Sequence, residues 1–330
     1  MTLVLDDDVR ELTEDATILV TGGTGSFGRQ ITNELLKYPV REIRIFSRGE
    51  DLQHQMARDY RDTRLQFIIG DVRDFERVLD SMKNVDYVFH AAALKQVPDC
   101  EFHPFEAVKT NIVGAHNVKI ASVRSNVKKV VAISTDKAVK PVNAMGMTKA
   151  LQEKIMLSPE MAANVDTTFS VVRYGNVIGS RGSVIPLFKH RSTRGQDLEV
   201  TSFEMTRFWL SLDDAVDLVL KALRDSKGGE TYVKKCPACL IRDLAEVIAG
   251  NRVRVLETGV RPGEKIHEVL VQEEEMRRSA EENDYFVIHA SKDISPGILS
   301  PSNAFEYTSE KARRLSKQEI SEMLREAGFI

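Results

Sequence analysis

The sequence has few cysteines and almost no net charge. Cys100, Cys236 and Cys239 are its three cysteines in 330 residues. They are too few for a disulfide framework, which is typical of proteins from a reducing compartment. The 46 basic and 49 acidic side chains leave a formal charge of −3. Nucleic acid is therefore not expected as a partner, because binding to a phosphate backbone requires a concentrated basic surface.

Long apolar segments are also missing from the sequence. No run approaches the roughly 20 apolar residues that span a bilayer, so we expect no membrane partner. Residues 1–15, an N-terminal extension, are acidic and lack the basic and apolar regions of a secretory signal. Together these absences predict a cytoplasmic protein.

The sequence does contain a regular alternation of short apolar runs and amphipathic stretches. The runs are residues 16–20, 42–46, 65–69, 85–90, 129–134 and 168–173. This alternation predicts a doubly wound α/β fold, in which right-handed crossovers place helices on both faces of a parallel sheet. The pattern loosens after about residue 175. We therefore predict one domain over 16–175 and a smaller C-terminal α/β region over 176–330.

Local signals in this second region predict three helices, at 212–224, 242–249 and 317–327, the last with Ser316 as its N-cap. Residues 272–284 are strongly charged, and we predict a solvated helix face or a loop there. Cys236 and Cys239 have no second pair of thiols to complete a zinc site. We interpret them as incidental thiols of a loop, and no metal is expected.

A glycine-rich segment lies between the first apolar run and the first amphipathic stretch. Gly22 permits a tight turn, Gly25 lets the backbone approach a pyrophosphate, and Gly28 lets the helix pack closely on the sheet. The N-terminus of that helix offers free N–H groups and a positive dipole end to phosphates. The segment predicts a Rossmann dinucleotide site formed by Thr21, Gly22, Thr24, Gly25, Ser26, Phe27 and Gly28.

The end of the second apolar run indicates which dinucleotide is bound. NAD enzymes usually carry an acid there that bonds the ribose 2′-hydroxyl. This chain has Ser47 and Arg48 instead, which suit a 2′-phosphate. We therefore expect an NADP-binding domain over 16–175; the alternative is that Arg48 is only a surface cation. The ends of the next two runs add cofactor candidates by position, namely Asp71, Val72, Ala91, Ala92 and Ala93.

Two further motifs resemble the extended short-chain dehydrogenase/reductase family. That family has a Ser or Thr at the end of a later strand and a Tyr-x-x-x-Lys pair on the next helix. Here residues 134–138 read STDKA, and the helix carries Met145 and Lys149. Methionine cannot titrate, so either the chain is not an enzyme or another group does the acid–base work. Asp136 and Lys137 are the candidates.

The STDKA segment, followed by KPVN at 140–143, resembles a narrower group, the inverting UDP-N-acetylglucosamine 4,6-dehydratases. One branch of that group carries Met in place of the catalytic Tyr. The resemblance covers residues 16–330 and includes 94–98, 173–186, 205–208, 261–265 and 306–310. It implies NADP as cofactor, UDP-N-acetylglucosamine or a related UDP-sugar as substrate, and a homo-oligomer.

The resemblance also implies a reaction sequence. Hydride passes from C4 of the sugar to NADP+, and the resulting 4-ketone makes the C5 proton acidic. Lys137 would remove that proton as a neutral amine, its pKa lowered by burial or by Lys149. Asp136, kept protonated by desolvation, would protonate the departing C6 hydroxyl. Hydride then returns to C6, and C5 is protonated from the opposite face, so the enzyme is a lyase.

The remaining site residues are likewise implied by the resemblance. Those assigned to the chemistry are Thr135, Asp136, Lys137, Met145 and Lys149. Further residues assigned to the cofactor are Lys95, Asn111, Ser134, Lys149, Tyr174, Gly175 and Val177. Those assigned to the sugar nucleotide are Lys95, Asn176, Arg181, Ser183, Val184, Pro186, Met205, Arg207, Arg261 and Glu264. Asn111 is interpreted first as a tie between helix and strand, and each of the arginines 181 and 261 has a surface salt bridge as its alternative.

Several alternatives stay open at this point. Lys137, Asp136 or a water near Thr135 could accept the C4 hydroxyl proton. A UDP-sugar 4-epimerase would share cofactor and substrate but would return hydride to C4, and it needs no acid at C6. A non-catalytic NADP-binding regulator would explain the missing Tyr, although it has no use for the Asp136–Lys137 pair.

Overall fold

The structure, a computed structural model, describes residues 6–160, 166–180, 182–290 and 304–330. Its strands are β1 (Thr17–Thr21), β2 (Glu42–Ser47), β3 (Leu65–Ile69), β4 (Tyr87–His90), β5 (Lys129–Ile133), β6 (Thr168–Arg173), β7 (Asn176–Val177), β8 (Leu198–Val200), β9 (Thr206–Leu210), β10 (Thr231–Lys234), β11 (Ala238–Leu240), β12 (Val255–Glu257), β13 (Val269–Val271), β14 (Ser279–Glu282), β15 (Tyr285–Ile288) and β16 (Tyr307–Thr308).

The α-helices are α1 (Asp7–Thr13), α2 (Ser26–Leu35), α3 (Glu50–Tyr60), α4 (Phe75–Ser81), α5 (Val97–Phe102), α6 (Pro104–Ala107), α7 (Gly114–Arg124), α8 (Ala144–Leu157), α9 (Val184–Thr193), α10 (Leu212–Asp225), α11 (Ile241–Ala249), α12 (Glu273–Met276) and α13 (Lys317–Glu326). A π-helical turn, Val108–Val113, joins α6 to α7, and a 3₁₀ turn, Asp136–Ala138, follows β5. Within the described ranges, no helix is both long and apolar enough to cross a membrane.

The predicted doubly wound α/β fold is confirmed. The central sheet has the order β14-β15-β10-β6-β5-β4-β1-β2-β3, and the strands from β10 to β3 run parallel. Strand β15 lies between β10 and the edge strand β14 and runs antiparallel to both. The strand order reverses beside β1, and such a reversal opens a crevice at the carboxyl ends of the strands. The sheet takes strands from both sides of the predicted boundary at 175.

The apolar core lies on both faces of this sheet. Ile18 and Val20 of β1 belong to one buried cluster and Leu19 belongs to the other, as expected for side chains that alternate across a strand. A third cluster around Trp209 belongs to the C-terminal region. Helix α1 of the N-terminal extension contributes the fully buried Val9 to the first cluster.

All six predicted apolar runs form strands, and 65–69 and 168–173 do so with the predicted bounds. The three predicted helices are α10, α11 and α13, and a reciprocal hydrogen bond between Ser316 and Glu319 caps α13. The prediction for 272–284 is wrong in part, because this segment contains the edge strand β14 as well as α12. Glu281 and Glu282 of β14 are exposed, and charged side chains are common on exposed edge strands.

Candidate active site

A cleft of about 790 Å³ lies at the carboxyl ends of the parallel strands. We call it the cleft throughout. It extends from the glycine-rich turn before α2 to the 3₁₀ turn after β5. The predicted residues that line it are Gly22, Thr24, Gly25, Ser26, Phe27, Gly28, Ser47, Arg48, Asp71, Val72, Ala91, Ala92, Ala93, Lys95, Ser134, Thr135, Lys137, Met145, Lys149, Tyr174, Gly175, Asn176, Val177 and Ser183.

The glycine-rich turn has the geometry that its sequence predicts. Gly22 has a φ of +68°, and a Cβ on it would lie 2.8 Å from the backbone nitrogen of Ala92. A Cβ on Gly28 would overlap the backbone of Gly23, so only glycine lets α2 pack this closely. Gly25 is the N-cap residue of α2 and makes no side-chain cap. The first N–H groups of α2 therefore face the cleft with their positive dipole end.

Thr21 supports the glycine-rich turn from behind and does not line the cleft. Its Oγ1 lies 2.8 Å from Nδ1 of the fully buried His90 and accepts a hydrogen bond from the backbone N–H of Ala92. Burial, together with the nearby ammonium of Lys149, lowers the pKa of His90 to about 3. Thr21 thus contacts a neutral imidazole, and its assignment to the cofactor is corrected to support of the turn.

The end of β2 carries a cation and no acid. The side chain of Arg48 is 55% exposed, and its Nη1 lies 3.9 Å from Oδ2 of Asp71. Asp71 is also bound by Arg73 at 2.6 Å. Burial opposes ionisation of Asp71, but the hydrogen bonds from Arg73 outweigh it and lower the pKa of this carboxyl. The guanidinium of Arg48 is therefore at the cleft wall and only weakly engaged by a carboxylate.

The 3₁₀ turn after β5 presents Lys137 to the cleft and buries Asp136. Lys137 Nζ donates a hydrogen bond of 3.0 Å to Oδ1 of Asp136, and the Lys137 side chain is 24% exposed. Asp136 is fully buried, does not line the cleft, and also accepts a hydrogen bond from Thr135 Oγ1. The group that faces a substrate is thus the amine, and the carboxyl lies behind it.

A second buried carboxylate, Glu268, lies 3.4 Å from Lys137 Nζ. Burial disfavours the ammonium, but the charges of Asp136 and Glu268 outweigh burial and raise the pKa of Lys137. The expectation that burial or Lys149 lowers this pKa is therefore wrong. Burial is the main cause that raises the pKa of Asp136, with Glu268 adding to it, in line with the expectation of a protonated carboxyl.

Of Lys137 and Lys149, the second is the one whose pKa is lowered. Its Nζ donates hydrogen bonds of 2.6 Å to the carbonyl of Ile133 and to Gln152 Oε1. Burial lowers its pKa to about 8. One turn earlier in α8, Met145 is 4% exposed and packs in an apolar cluster with Cys100 and Ala107. The position of the family's phenol is therefore apolar.

Asn111 does not reach the cleft. Its Oδ1 accepts from the backbone N–H of Leu94, and its Nδ2 donates to the carbonyl of Leu94 and to Thr148 Oγ1. Asn111 is fully buried. It ties the π-helical turn to the chain after β4 and to α8, so its assignment to the cofactor is corrected to this structural tie.

Residues predicted for the sugar nucleotide fall into three groups. Asn176, Ser183 and Lys95 line the cleft. The others that the structure describes do not line it, namely Val184, Pro186, Met205, Arg207, Arg261 and Glu264. Arg181 lies outside the described residues.

Two members of this second group are held inside the C-terminal region. Met205 belongs to its apolar cluster. The guanidinium of Arg207 is nearly buried and donates hydrogen bonds to the carbonyls of Thr206, Lys265 and Ile266. Neither residue lies at the cleft: Met205 packs in the apolar cluster, and Arg207 binds the segment before β13.

Sequence reasoning missed a buried cluster behind the cleft. Arg173 Nη2 lies 2.6 Å from Glu153 Oε2 and 2.7 Å from Glu275 Oε1. Ser134 Oγ donates a 2.5 Å hydrogen bond to Glu153. This cluster ties the ends of β5 and β6 to α8 and α12. The sequence carries no spacing signal for it, because its members come from four separate elements.

Cys236 and Cys239 are buried and free. Cys239 lies in β11 rather than in a loop. Burial raises the pKa of both thiols to about 12, so both are protonated and unreactive at neutral pH. In the part of the chain that the structure describes, no group of three or more His, Cys, Asp or Glu side chains could hold a metal.

Comparison with known proteins shows where this chain belongs. It matches the family described as polysaccharide biosynthesis protein over residues 18–290. A UDP-glucose 4-epimerase of Rickettsia prowazekii (strain Madrid E) is 43% identical over 331 residues, which cover 96% of this chain and 97% of that protein. A UDP-glucose 4-epimerase of Rickettsia bellii (strain OSU 85-389) is 44% identical over 333 residues, with the same coverage.

Solved structures agree with this relationship. The X-ray structure of Pen from Bacillus thuringiensis has a TM-score of 0.91 and 37% sequence identity, and the match covers 96% of this chain and 99% of Pen. DesIV, a dTDP-glucose 4,6-dehydratase of Streptomyces venezuelae solved with NAD bound, shares the fold with a TM-score of 0.68 at 22% identity, over 76% of this chain and 86% of DesIV. The chain thus belongs to the polysaccharide biosynthesis protein family.

Proposed function

We propose that this protein is a nicotinamide-dependent enzyme that removes water from UDP-N-acetylglucosamine, or a closely related UDP-sugar, by 4,6-dehydration with inversion at C5. The observation that carries the proposal is the pairing of Lys137 with the buried Asp136. The Lys137 amine opens into the same cleft as the glycine-rich turn, at the point where the family's phenol is replaced by Met145.

The cleft fits a dinucleotide and a sugar nucleotide side by side. Gly22 and Gly28 leave no room for a Cβ, because Gly22 lies against Ala91 and Ala92 and Gly28 lies against Gly23, as the tight turn and the close packing of the helix in a dinucleotide site require. Further along the cleft, Asn176 Oδ1 and Ser183 Oγ are buried, and neither has a hydrogen-bond partner among the described residues. Buried polar atoms are rarely left unpaired, so these two suit the hydroxyl and phosphate oxygens of a sugar nucleotide.

We propose NADP rather than NAD, because β2 ends with Ser47 and Arg48 and carries no acid for a ribose 2′-hydroxyl. When bound, the nicotinamide would supply the acceptance of hydride from C4 and its return to C6. Lys149 lines the cleft and has a pKa of about 8. The positive charge of its ammonium would favour the reduced nicotinamide, and so the acceptance of hydride from C4.

The chain's own part in the chemistry is proton transfer by Lys137. The 3.0 Å hydrogen bond to Asp136 allows the ammonium to pass its proton to the carboxylate. This leaves a neutral amine facing the cleft and a protonated acid behind it. A 4-ketone makes the C5–H bond acidic, and the amine removes that proton.

Departure of the C6 hydroxyl completes the elimination. Lys137, now an ammonium again, donates a proton to the C6 oxygen, and the electron pair of the enolate expels it as water. Asp136 is fully buried and therefore acts through Lys137, as a proton store rather than by direct contact with the sugar. Hydride returned to C6 would leave an enolate, and C5 of that enolate takes a solvent proton on the face opposite Lys137, which inverts the centre.

A second candidate is 4-epimerisation of a UDP-sugar. It is favoured by relatives that are 43% and 44% identical and are named UDP-glucose 4-epimerase. Both reactions must deprotonate the C4 hydroxyl as hydride leaves C4, and Met145 offers no group for that step in either, so the difference lies at C6. An epimerase has no need of a proton donor for C6. The pair at the cleft therefore favours dehydration.

Incubation of the protein with NADP+ and UDP-N-acetylglucosamine, or with UDP-glucose, separates the candidates. Dehydration lowers the mass of the nucleotide sugar by one water, whereas epimerisation leaves the mass unchanged and alters the chromatographic position. A non-catalytic regulator leaves the sugar nucleotide as it was. Lys137→Ala is the matched control, and an unchanged mass with the unaltered protein on every UDP-sugar tried contradicts the proposal.

A further inference from the structure

Lys137 has two carboxylate neighbours, although the sequence predicts only one. Asp136 Oδ1 lies 3.0 Å and Glu268 Oε1 lies 3.4 Å from its Nζ. Glu268 directly precedes β13 and is 2% exposed. Both carboxyls are hidden from solvent, so their charges act on Lys137 with little screening.

The structure holds Glu268 in place as an anion. Its Oε2 lies 3.4 Å from Lys265 Nζ, its Oε1 lies 3.7 Å from Arg207 Nε, and its backbone N–H donates to Ser309 Oγ. Burial opposes ionisation, but Lys137, Arg207 and Lys265 outweigh burial and lower the pKa of this carboxyl.

Asp136 is supported less well than Glu268 as an anion. Oδ2 of Asp136 and Oε2 of Glu268 are both buried without a hydrogen-bond partner among the described residues, so hydrogen bonds do not separate the two carboxyls. Their cations do: Glu268 faces Lys137, Arg207 and Lys265, whereas Asp136 is paired with Lys137. The negative charge of Glu268 adds to burial in disfavouring the Asp136 carboxylate. When two carboxyls share one site, the proton is held by the one with weaker support.

We propose that Glu268 is a positioning residue that acts through Lys137. It is the permanent counter-ion of the Lys137 ammonium. Asp136 is therefore free to take up and release the proton that Lys137 exchanges with the sugar. This inference rests on the proposed function for its role in turnover. The electrostatic effect of Glu268 on the protonation of Lys137 does not depend on which sugar is converted.

Glu268→Gln tests the inference because it removes one charge and keeps the size of the side chain. Without that charge both the ammonium of Lys137 and the protonated form of Asp136 lose support. The two limbs of the pH–rate profile therefore move together to lower pH, by about one to three units. A role in folding alone would lower the rate at every pH without moving the profile.

A second readout does not depend on turnover. Acetic anhydride modifies only neutral amines, so the pH at which Lys137 is half-modified, mapped by mass spectrometry, reports its protonation. We expect this midpoint to fall in Glu268→Gln, to fall less in Glu268→Asp, and to stay in place in Glu310→Gln. Glu310 is exposed, forms a salt bridge with no described residue other than His267, and serves as the matched control.

The two readouts also distinguish the two proposals. The modification midpoint of Lys137 could fall in Glu268→Gln while no UDP-sugar loses water. That result supports the electrostatic effect of Glu268 on Lys137 and overturns the proposed function. A midpoint that is unchanged in Glu268→Gln and in Glu268→Asp, in proteins that still bind NADP, overturns the inference. If Glu268→Gln does not fold, Glu268→Asp carries the same test with a smaller shift.

Discussion

Gly146 packs against the backbone carbonyl of Lys137 so closely that a Cβ on Gly146 would overlap that oxygen and would lie 3.2 Å from Pro141 Cβ. The first turn of α8 and the 3₁₀ turn that carries Lys137 are therefore in direct backbone contact. Asn143 fixes the same helix start, since its Oδ1 accepts from the N–H of Gly146 at 2.8 Å. The position of the amine in the cleft depends on this contact.

Gly146→Ala should displace the turn that carries Lys137. We expect a loss of about 1–3 kcal/mol in the free energy of unfolding, as is usual when a methyl group is forced into a packed site. Turnover should fall by more than the binding of the sugar nucleotide does. Urea unfolding and steady-state kinetics measure both. Met147→Ala, at an exposed position of the same turn, is the control, and equal effects from the two substitutions would argue against the contact.

Met145→Tyr restores the phenol that the short-chain dehydrogenase/reductase pattern places one turn before Lys149. If Lys137 and Asp136 suffice for the chemistry, UDP-sugar binding and dehydration should both persist. Isothermal titration calorimetry and the mass assay measure the two properties. Met145→Phe adds the ring without the hydroxyl and separates bulk from chemistry. Loss of binding in both variants would mean that the pocket is shaped around Met145.

Arg48→Asp should distinguish the two nicotinamide cofactors. We expect the Kd for NADP to rise about tenfold or more, since a cation beside the 2′-phosphate is replaced by an anion, while the Kd for NAD changes little. Fluorescence titration of the reduced cofactors measures both constants. Arg58→Asp makes the same charge change at an exposed position of α3 that does not line the cleft. An equal loss for both cofactors would remove the assignment of NADP.

Arg173→Met should destabilise the protein strongly. It leaves the buried carboxylates of Glu153 and Glu275 without their shared cation, and breaking a buried pair in this way costs about 3–5 kcal/mol. Arg254→Met removes an arginine that is 78% exposed and bound to Asp197, where a loss of about 0–1 kcal/mol is expected. Urea unfolding of both variants measures the difference, and similar losses would show that burial of the cluster matters little.

The features that could be predicted from the sequence are those with a local cause. The six apolar runs, the glycine-rich turn and the cap at Ser316 each depend on residues within a few positions of one another, and each is found where it was predicted. Ser47 and Arg48 follow the same rule, because their place at the end of β2 fixes which part of a dinucleotide they can face.

The features that could not be predicted arise where distant segments meet. Glu268 contacts Lys137 from the segment before β13, and no spacing along the chain predicts that contact. Glu268 acts together with Asp136 to raise the pKa of Lys137 against burial, so burial alone gave the wrong direction. Arg207 lies in β9, and all five residues of that strand are buried. A motif match cannot tell that its guanidinium binds backbone carbonyls rather than a diphosphate.

The central claim is that Lys137 removes the proton at C5 of a nucleotide sugar and that a solvent-derived proton replaces it on the opposite face. Conversion of UDP-N-acetylglucosamine in heavy water, followed by NMR of the product, tests it most directly, with Lys137→Ala as a protein that should bind the sugar nucleotide but not convert it. The account predicts one deuterium at C5 in a product that has lost water. A dehydrated product with only protium at C5, or full turnover by Lys137→Ala, would contradict it.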